Sequence, residues 1–575
     1  MGRTDSRTTQ HRTPGASQLT TLLTRIRNRL EIRNEWALPI FLCMALGFGV
    51  ILILMTPPFQ VPDEIVHFYR AFAISEGHVV MEKQAGAIGA DMPVSIHAIT
   101  AVSANLPFHG EERQDRKALR AMLQRPLQPE SRTFIQVSGA ANYAPVPYLP
   151  HILGIWAGRL FDAPALVLLY LARLFGLIAY LLLAGLAIHL LPWGKWFMAL
   201  LALLPMSLTE AMGVSADSVT MGLSFLLFAL VMRRIPRLRD LTEEVGVAGR
   251  SRGLAAEARC KTGIPAGEWM IFLLLSAMLP LCKNLYILLL GLMPLLPLSL
   301  LELRLSGINR IEKSGRSATG NRRHGHIPKK QPGQTRELLV QEARRKTLLQ
   351  ALFLSIGILL CAAVALGVFF LWNRTVAGFS TDTPIAGADP ASQVLFMMQH
   401  PGKAFRILTG SMTAQLSVNL RSMIGVLGWL DTPLPFVVYR SFYVLLLGLA
   451  LLDGPGGSPW ALSAMLRGGK GKVALRGQRP LPNLGVWGRL WTALLFLGIA
   501  CAVYGSLYVV WSPVGGQEVS GVQGRYFIPV MPLLAAAVGY RPFRDWIRIK
   551  GLMLCLILPL WGITLHTVYM RYWGP

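Results

Sequence analysis

Residues 57–79 read PPFQVPDEIVHFYRAFAISEGHV and bring Asp63, Glu64, His67 and Arg70 together just after a long apolar run. Pro62 and Asp63 have the character of a helix entry. The spacing predicts a helix from Glu64 to Glu76 with Asp63 at its N-cap. At 3.6 residues per turn Asp63, His67 and Arg70 share one side, with Glu64 beside them, while Phe68, Phe72 and the alanines make the other side apolar. Such a helix lies against a membrane surface and presents carboxylate, imidazole and guanidinium to one place. A carboxylate at a water–lipid boundary is partly desolvated, which raises its pKa and improves it as a general base. With no chemistry invoked, Asp63 caps the helix and the other three side chains are solvated.

Cations that could meet an anionic substrate occur far along the chain. Arg525 follows Gly521 and Gly524 in GVQGRYFIPVMPLL, residues 521–534, with Gln523 and Tyr526 on either side. Glycines permit close backbone approach, and arginine contacts phosphate oxygens in a bidentate manner. Lys283 sits in LCKNLY, a tight turn between two apolar runs. The plain alternative for both is anchoring at a helix end. Arg173 lies inside an apolar run, where charge is costly and is paired or functional. Asp217 and Glu210 are its candidate partners. His67 reads as a hydrogen-bonding partner, because no second histidine or cysteine is spaced for zinc. Two adjacent carboxylates alone make a weak cation site, so Asp63 and Glu64 would hold a magnesium or manganese ion only with further oxygen ligands.

The elements that must position these residues are membrane helices. Of 575 residues, 53% are hydrophobic and 15% charged, below the roughly 25% charged of soluble domains. Mean hydropathy is +0.45. Apolar runs occur near 37–55, 164–190, 195–212, 215–234, 268–283, 284–303, 347–372, 436–453, 489–511, 526–540 and 551–571, with a weaker one at 146–161. The net charge of +26 collects between the runs, at 1–33, 233–261, 304–346, 467–489 and 541–550. That is the pattern of cytoplasmic loops, and it argues against nucleic-acid binding. The segment before Trp36 is too long and polar for a cleavable signal peptide, so 37–55 reads as a retained first helix. Six scattered cysteines indicate neither a disulfide framework nor a metal site.

Placing every basic segment in the cytoplasm decides the crossings. If 146–161 spans, the arginines at 233–239 fall outside; if it is an interfacial or re-entrant helix on the outer side, every basic loop falls inside. The expected fold is therefore an all-α polytopic integral membrane protein of about eleven transmembrane helices. It comprises a basic N-terminal segment (1–35), a transmembrane module (36–303) with an external loop at 56–163, a basic disordered loop (304–346), and a second transmembrane module (347–575) with external segments at 373–435 and 512–525. The N-terminus is cytoplasmic and the C-terminus external.

PPFQVPDEIVHFYRAFAISEGHV resembles the signature of the bacterial membrane-protein family known as domain of unknown function 2142. YAPVPYLPHILGIWAGRLF (143–161), SADSVTMGLSFLLFAL (215–230) and the 521–534 stretch fit the same family in the same order. That family in turn resembles the GT-C superfamily of lipid-linked-sugar glycosyltransferases, which includes protein O-mannosyltransferases, the aminoarabinose transferase of lipid A and oligosaccharyltransferase catalytic subunits. Their shared pattern is an acidic motif in the first external loop, juxtamembrane helices and a cavity at the membrane surface. Asp63-Glu64 match the acidic motif. Tyr143 to Tyr148 resemble the Y-x-P-P-x-Y element, with the prolines displaced to Pro145 and Pro147.

The resemblance implies an inverting glycosyltransferase on the external side of a bacterial inner membrane. A polyprenyl-phosphate sugar would be the donor, and an envelope glycan, lipid or protein the acceptor. It implies Asp63 as general base, Glu64 orienting the acceptor or holding a divalent cation, or the two roles exchanged. His67, Arg70, Tyr143, Tyr148, Arg173, Asp217, Lys283, Gln523, Arg525 and Tyr526 become the binding residues. The rival readings are a transporter or flippase of lipid-linked saccharides, a polysaccharide polymerase or ligase, and a non-catalytic scaffold of the same fold. A transporter would gather its ionisable groups near the bilayer midplane, whereas here only Arg173 lies there.

Overall fold

The computed structural model describes residues 34–248, 264–302, 332–379, 385–454, 484–539 and 547–575. The chain is an all-α polytopic membrane protein. Its principal helices are α1 (Ala37–Met55), α2 (Glu64–Ser75), α3 (Leu149–Arg159), α4 (Ala165–Leu190), α5 (Lys195–Ala202), α6 (Pro205–Met212), α7 (Asp217–Ala248), α8 (Ala266–Cys282), α9 (Pro332–Val376), α10 (Phe436–Leu452), α11 (Val486–Val510) and α12 (Ile547–Tyr572). Among the described residues seven helices are long and apolar enough to cross a membrane, and α8, α10 and Gly524–Val538 are shorter apolar helices. Leu359, Phe370 and Leu371 of α9 are exposed, as expected of side chains that meet lipid.

The apolar run at 195–212 is not one straight span. It breaks at Leu203-Leu204 into α5 and α6. Pro205 supplies no N–H and pushes Leu204 out of the helical region (φ −59°, ψ 144°). Every residue of the two helices except Lys195 is buried, so this broken element forms the centre of the bundle. Two other runs begin as 3-10 helices, Asn284–Leu292 and Gly524–Val530. The basic segment expected to be disordered over 304–346 differs in its second part. Residues 332–346 form the first turns of α9. The stretch is rich in helix formers, and Lys346 pairs with Glu342 one turn earlier at 2.5 Å. Residues 303–331 lie outside the described residues, as do 1–33, 249–263, 455–483 and 540–546, where most of the other basic positions fall.

α1 and α12 run parallel. Asn34, before α1, accepts from Lys550 near the start of α12, while Trp573, just past α12, donates to the Met55 carbonyl. The chain thus crosses an odd number of times between them, the parity that the basic segments require. Arg571 also reaches the Leu106 and Glu112 carbonyls, so the end of α12 and the loop at 56–163 share one end of the bundle.

That loop is a small folded layer. Strands β1 (Glu82–Gln84), β2 (Ala87–Pro93) and β3 (Arg132–Gln136) form an antiparallel sheet in that order, with Gly89 opposite Gln136 and Pro93 opposite Arg132. α3 has eleven residues, about 16 Å at 1.5 Å per residue, too short to span. It packs along the start of α4 through Gly154 and Gly158. A Cβ at these positions would lie 2.5 Å from the Leu171 carbonyl oxygen and 2.4 Å from the Leu168 side chain.

Candidate functional site

The chain enters α2 through strained backbone. Asp63 adopts φ 63°, ψ 0°, the left-handed region that aspartate tolerates better than most residues. It stands at the N-cap position but its side chain caps nothing. The carboxylate instead accepts from Arg525 Nη2 at 3.1 Å, and its side chain keeps 55% of its surface exposed. The structure therefore departs from the simple capping role.

Arg525 is buried between two acids. Its Nη1 donates to Glu210 Oε1 of α6 at 2.8 Å, opposite the contact with Asp63. Its Nε and the second oxygen of Glu210 are buried with no hydrogen-bond partner, as is Gln523 Oε1. Gly524 explains how the guanidinium gets there. A Cβ at Gly524 would sit 2.0 Å from the Asn419 carbonyl oxygen and 2.3 Å from the Met423 amide nitrogen, so only glycine lets this turn press against the helix Leu416–Gly425. The Gly524 amide donates to Ser422 Oγ at 2.9 Å.

Lys283 lies beside this group. A single extended residue between α8 and the 3-10 helix Asn284–Leu292, it donates to Asp217 Oδ1 at the start of α7. The Lys283 ammonium and the Arg525 guanidinium both sit over the Tyr526 ring, 5.3 and 5.6 Å from its centroid. Five segments distant in sequence thus converge.

His67, one turn along α2 from Asp63, closes the wall. Its Nδ1 is 2.6 Å from the Tyr148 hydroxyl, and its ring meets Tyr143 edge-on at 5.1 Å. Burial pushes His67 down to about 4, against the opposing pull of Asp63. It is therefore a neutral imidazole near pH 7. Burial raises the Tyr143 and Tyr148 phenols, so both remain protonated. Asp63, Asp217, Lys283 and Arg525 all act on His67 electrostatically, so these groups form one cluster.

Three expected site residues belong elsewhere. Glu64 is fully buried and turned away from Asp63. Its oxygens accept from Arg173 Nε at 2.7 Å, Arg173 Nη2 at 2.6 Å and the Val214 amide at 3.0 Å. Arg173 is therefore paired with Glu64, not with Asp217 or Glu210, and its remaining donors hold the Thr56 and Pro57 carbonyls at the end of α1. With every Glu64 oxygen engaged, the acid pair does not fit a shared magnesium or manganese ion. Among the described residues no three His, Cys, Asp or Glu side chains converge as a metal site. Arg70 is the third. It does not share a pocket with Asp63 and His67 but donates to the Tyr143, His78 and Val79 carbonyls, stapling the loop.

Glu210 is the member that sequence reasoning places wrongly, as a partner for Arg173. A glutamate in an apolar run signals that a cation must meet it, but not which one. His151 is also absent from the expected site. It is buried between the Ala172 and Ser215 carbonyls and braces α3 against α4 and the entry to α7.

In comparisons with known proteins, residues 46–534 match the family described as "Predicted membrane protein (DUF2142)", and the chain belongs to it. No curated protein and no solved structure matches the chain.

Proposed function

We propose that this protein is an inverting glycosyltransferase of a bacterial inner membrane, transferring a sugar from a polyprenyl-phosphate carrier to an acceptor hydroxyl of the cell envelope. The N-terminus lies in the cytoplasm, and the loop at 56–163 and the C-terminus face the external side. The observation that carries the reading is the contact between a solvent-accessible carboxylate, Asp63, and a buried arginine, Arg525, which shares the Tyr526 ring with Lys283.

The chemistry follows from those groups. Asp63 takes the proton from the acceptor hydroxyl as its oxygen attacks the anomeric carbon. The bond from that carbon to the phosphate oxygen breaks on the opposite face, and polyprenyl phosphate leaves with the electron pair. Arg525 and Lys283 stabilise the charge that develops on the phosphate. In the resting site Asp63 leans on Arg525. An arriving phosphate competes for the same guanidinium, releasing the carboxylate towards the acceptor. Tyr143, Tyr148 and neutral His67 line the pocket as hydrogen-bonding walls, and no step calls for a metal at Asp63 and Glu64.

The test compares envelope glycans from a deletion strain complemented with wild-type protein or with Asp63→Asn at equal abundance. A glycan lost on deletion returns with wild type and stays absent with Asp63→Asn. Full restoration by Asp63→Asn removes the base and the proposal with it. A flippase would leave a lipid-linked sugar accumulating on the cytoplasmic side in the deletion strain, whereas a transferase leaves it outside.

A further inference from the structure

At the far end of α2 from Asp63, about 18 Å away along a twelve-residue helix, an open groove of about 680 Å³ is lined by Glu76, Arg132, Trp156, Arg159 and Leu160. Two guanidinium groups share one carboxylate there. Arg132 Nη2 lies 2.6 Å from Glu76 Oε2, and Arg159 Nη1 lies 3.2 Å from Oε1. The glutamate is nearly buried while both arginines keep a third of their side-chain surface exposed. Two guanidinium groups thus face a single carboxylate, while Asp91 and Glu130 act on Arg132 from further away and His78, also lining the groove, pairs with Glu82. Arg132 is further held by the Asp91 and Pro129 carbonyls, and Arg159 lies over the Phe72 ring. Trp156 is fixed at the rim by its Nε1 donating to the Ser75 carbonyl at 2.9 Å.

The groove continues into an apolar surface. Leu149, Leu153, Trp156 and Leu160 follow the spacing of one helical face, and all are exposed, as is Phe161. A short helix with such a face, ending in an arginine and carrying a half-exposed tryptophan, has the make-up of one that lies in the membrane interface. Apolar surface beside a basic pocket matches a molecule with one anionic phosphate and hydrocarbon tails.

We propose that this groove is a phospholipid site, separate from the Asp63 cluster. Arg132 and Arg159 bind the phosphate of an anionic phospholipid, and its acyl chains run along the Leu153, Trp156 and Leu160 face of α3. The bound lipid fixes α3, and through the Trp156–Ser75 contact the end of α2, at the membrane surface. The site does not depend on the protein being a transferase.

The test uses the full chain, purified and delipidated in detergent, titrated with phosphatidylglycerol or phosphatidylcholine and read by native mass spectrometry. Wild type retains phosphatidylglycerol in preference to phosphatidylcholine. Arg159→Gln lowers its affinity about tenfold. Glu76→Gln, which removes the competing carboxylate, raises it. Leu160→Asp, at an exposed position that folding does not need, lowers it as well. Equal phosphatidylglycerol binding in wild type, Arg159→Gln and Leu160→Asp overturns the proposal. So does full displacement of the lipid by millimolar inorganic phosphate, which would make the groove a site for free anions.

Discussion

Asp63 and Glu64 are adjacent carboxylates, and their replacement should have opposite consequences. Glu64 makes three bonds in a fully buried setting, two of them to Arg173. Glu64→Ala leaves a buried guanidinium without its counter-charge and the Val214 amide without an acceptor. Removing one partner of a buried pair costs about 3–5 kcal/mol, because the remaining charge stays desolvated. Asp63 differs on every count. Its side chain is half exposed, so solvent screens its pair with Arg525, and such pairs contribute about 0–1 kcal/mol. Asparagine also tolerates the left-handed backbone at this position. The assay is the thermal midpoint of the full chain in lipid nanodiscs, read beside glycan restoration in the deletion strain. Glu64→Ala should lower the midpoint and the yield, whereas Asp63→Asn should melt like wild type and restore no glycan. Glu64→Leu combined with Arg173→Leu should recover much of the lost stability, since apolar side chains can replace a buried pair. A Glu64→Ala protein that melts like wild type yet fails to restore the glycan would refute this division and return Glu64 to the chemistry.

Arg525→Ala, made with Glu210→Gln so that no lone carboxylate stays buried, should raise the apparent KM for polyprenyl-phosphate sugar about tenfold or more, as expected for a charge-assisted contact of about 1.5–3 kcal/mol; an unchanged KM makes Arg525 an anchor. Gly524→Ala drives a methyl group into the Asn419 and Met423 backbone and should reduce transfer severalfold through displacement of Arg525, while Gly505→Ala, where a Cβ meets nothing within 4 Å, leaves it unchanged. For His67, the folded value of about 4 lies below the ordinary 6.5. The unfolded chain therefore binds the extra proton first, and the stability present above pH 6.5 falls away between 6.5 and about 4, by up to about 3 kcal/mol. His67→Asn should flatten that part of the stability–pH curve, and a curve unchanged by the substitution refutes the assignment.

Much of the helix layout is legible from hydropathy alone, because burial in lipid demands long apolar runs and local hydrogen bonding. The runs at 37–55 and 164–190 correspond to α1 and α4 nearly residue for residue. The short α3 follows from charge parity. What hydropathy does not carry is the break inside a run. Pro205 marks it, but an apolar window reads through a proline that a buried environment can accommodate. Pairing is harder still. Glu64, Glu210 and Asp217 are three buried acids, and Arg173, Lys283 and Arg525 three cations, with partners 109, 315 and 66 residues apart. Arg173 is visible in the sequence as an expensive charge that must find a counter-charge, whereas Glu64, Lys283 and Arg525 read as loop or turn residues whose burial the sequence does not reveal. The order of matching is a property of how the helices pack. Arg70 is misplaced for a related reason, since helical spacing gives its angle about the axis but not that three carbonyls of its own loop already enclose it.

The matching bears on which carboxylate would serve as the base in the proposed transfer. Glu64 neutralises Arg173, Asp217 neutralises Lys283, and Glu210 neutralises Arg525. Each of these acids is buried and engaged with its own cation. Asp63 is the surplus carboxylate of the cluster. It touches Arg525, whose charge Glu210 already balances, and it alone of the four faces solvent. It is therefore the carboxylate that an acceptor hydroxyl arriving from water would reach in the proposed transfer. A transporter would need the reverse, a membrane-buried charge whose partner is exchangeable. Here the buried acids hold their cations in place, and the one exposed carboxylate stands at the edge of the cluster, on the side open to water.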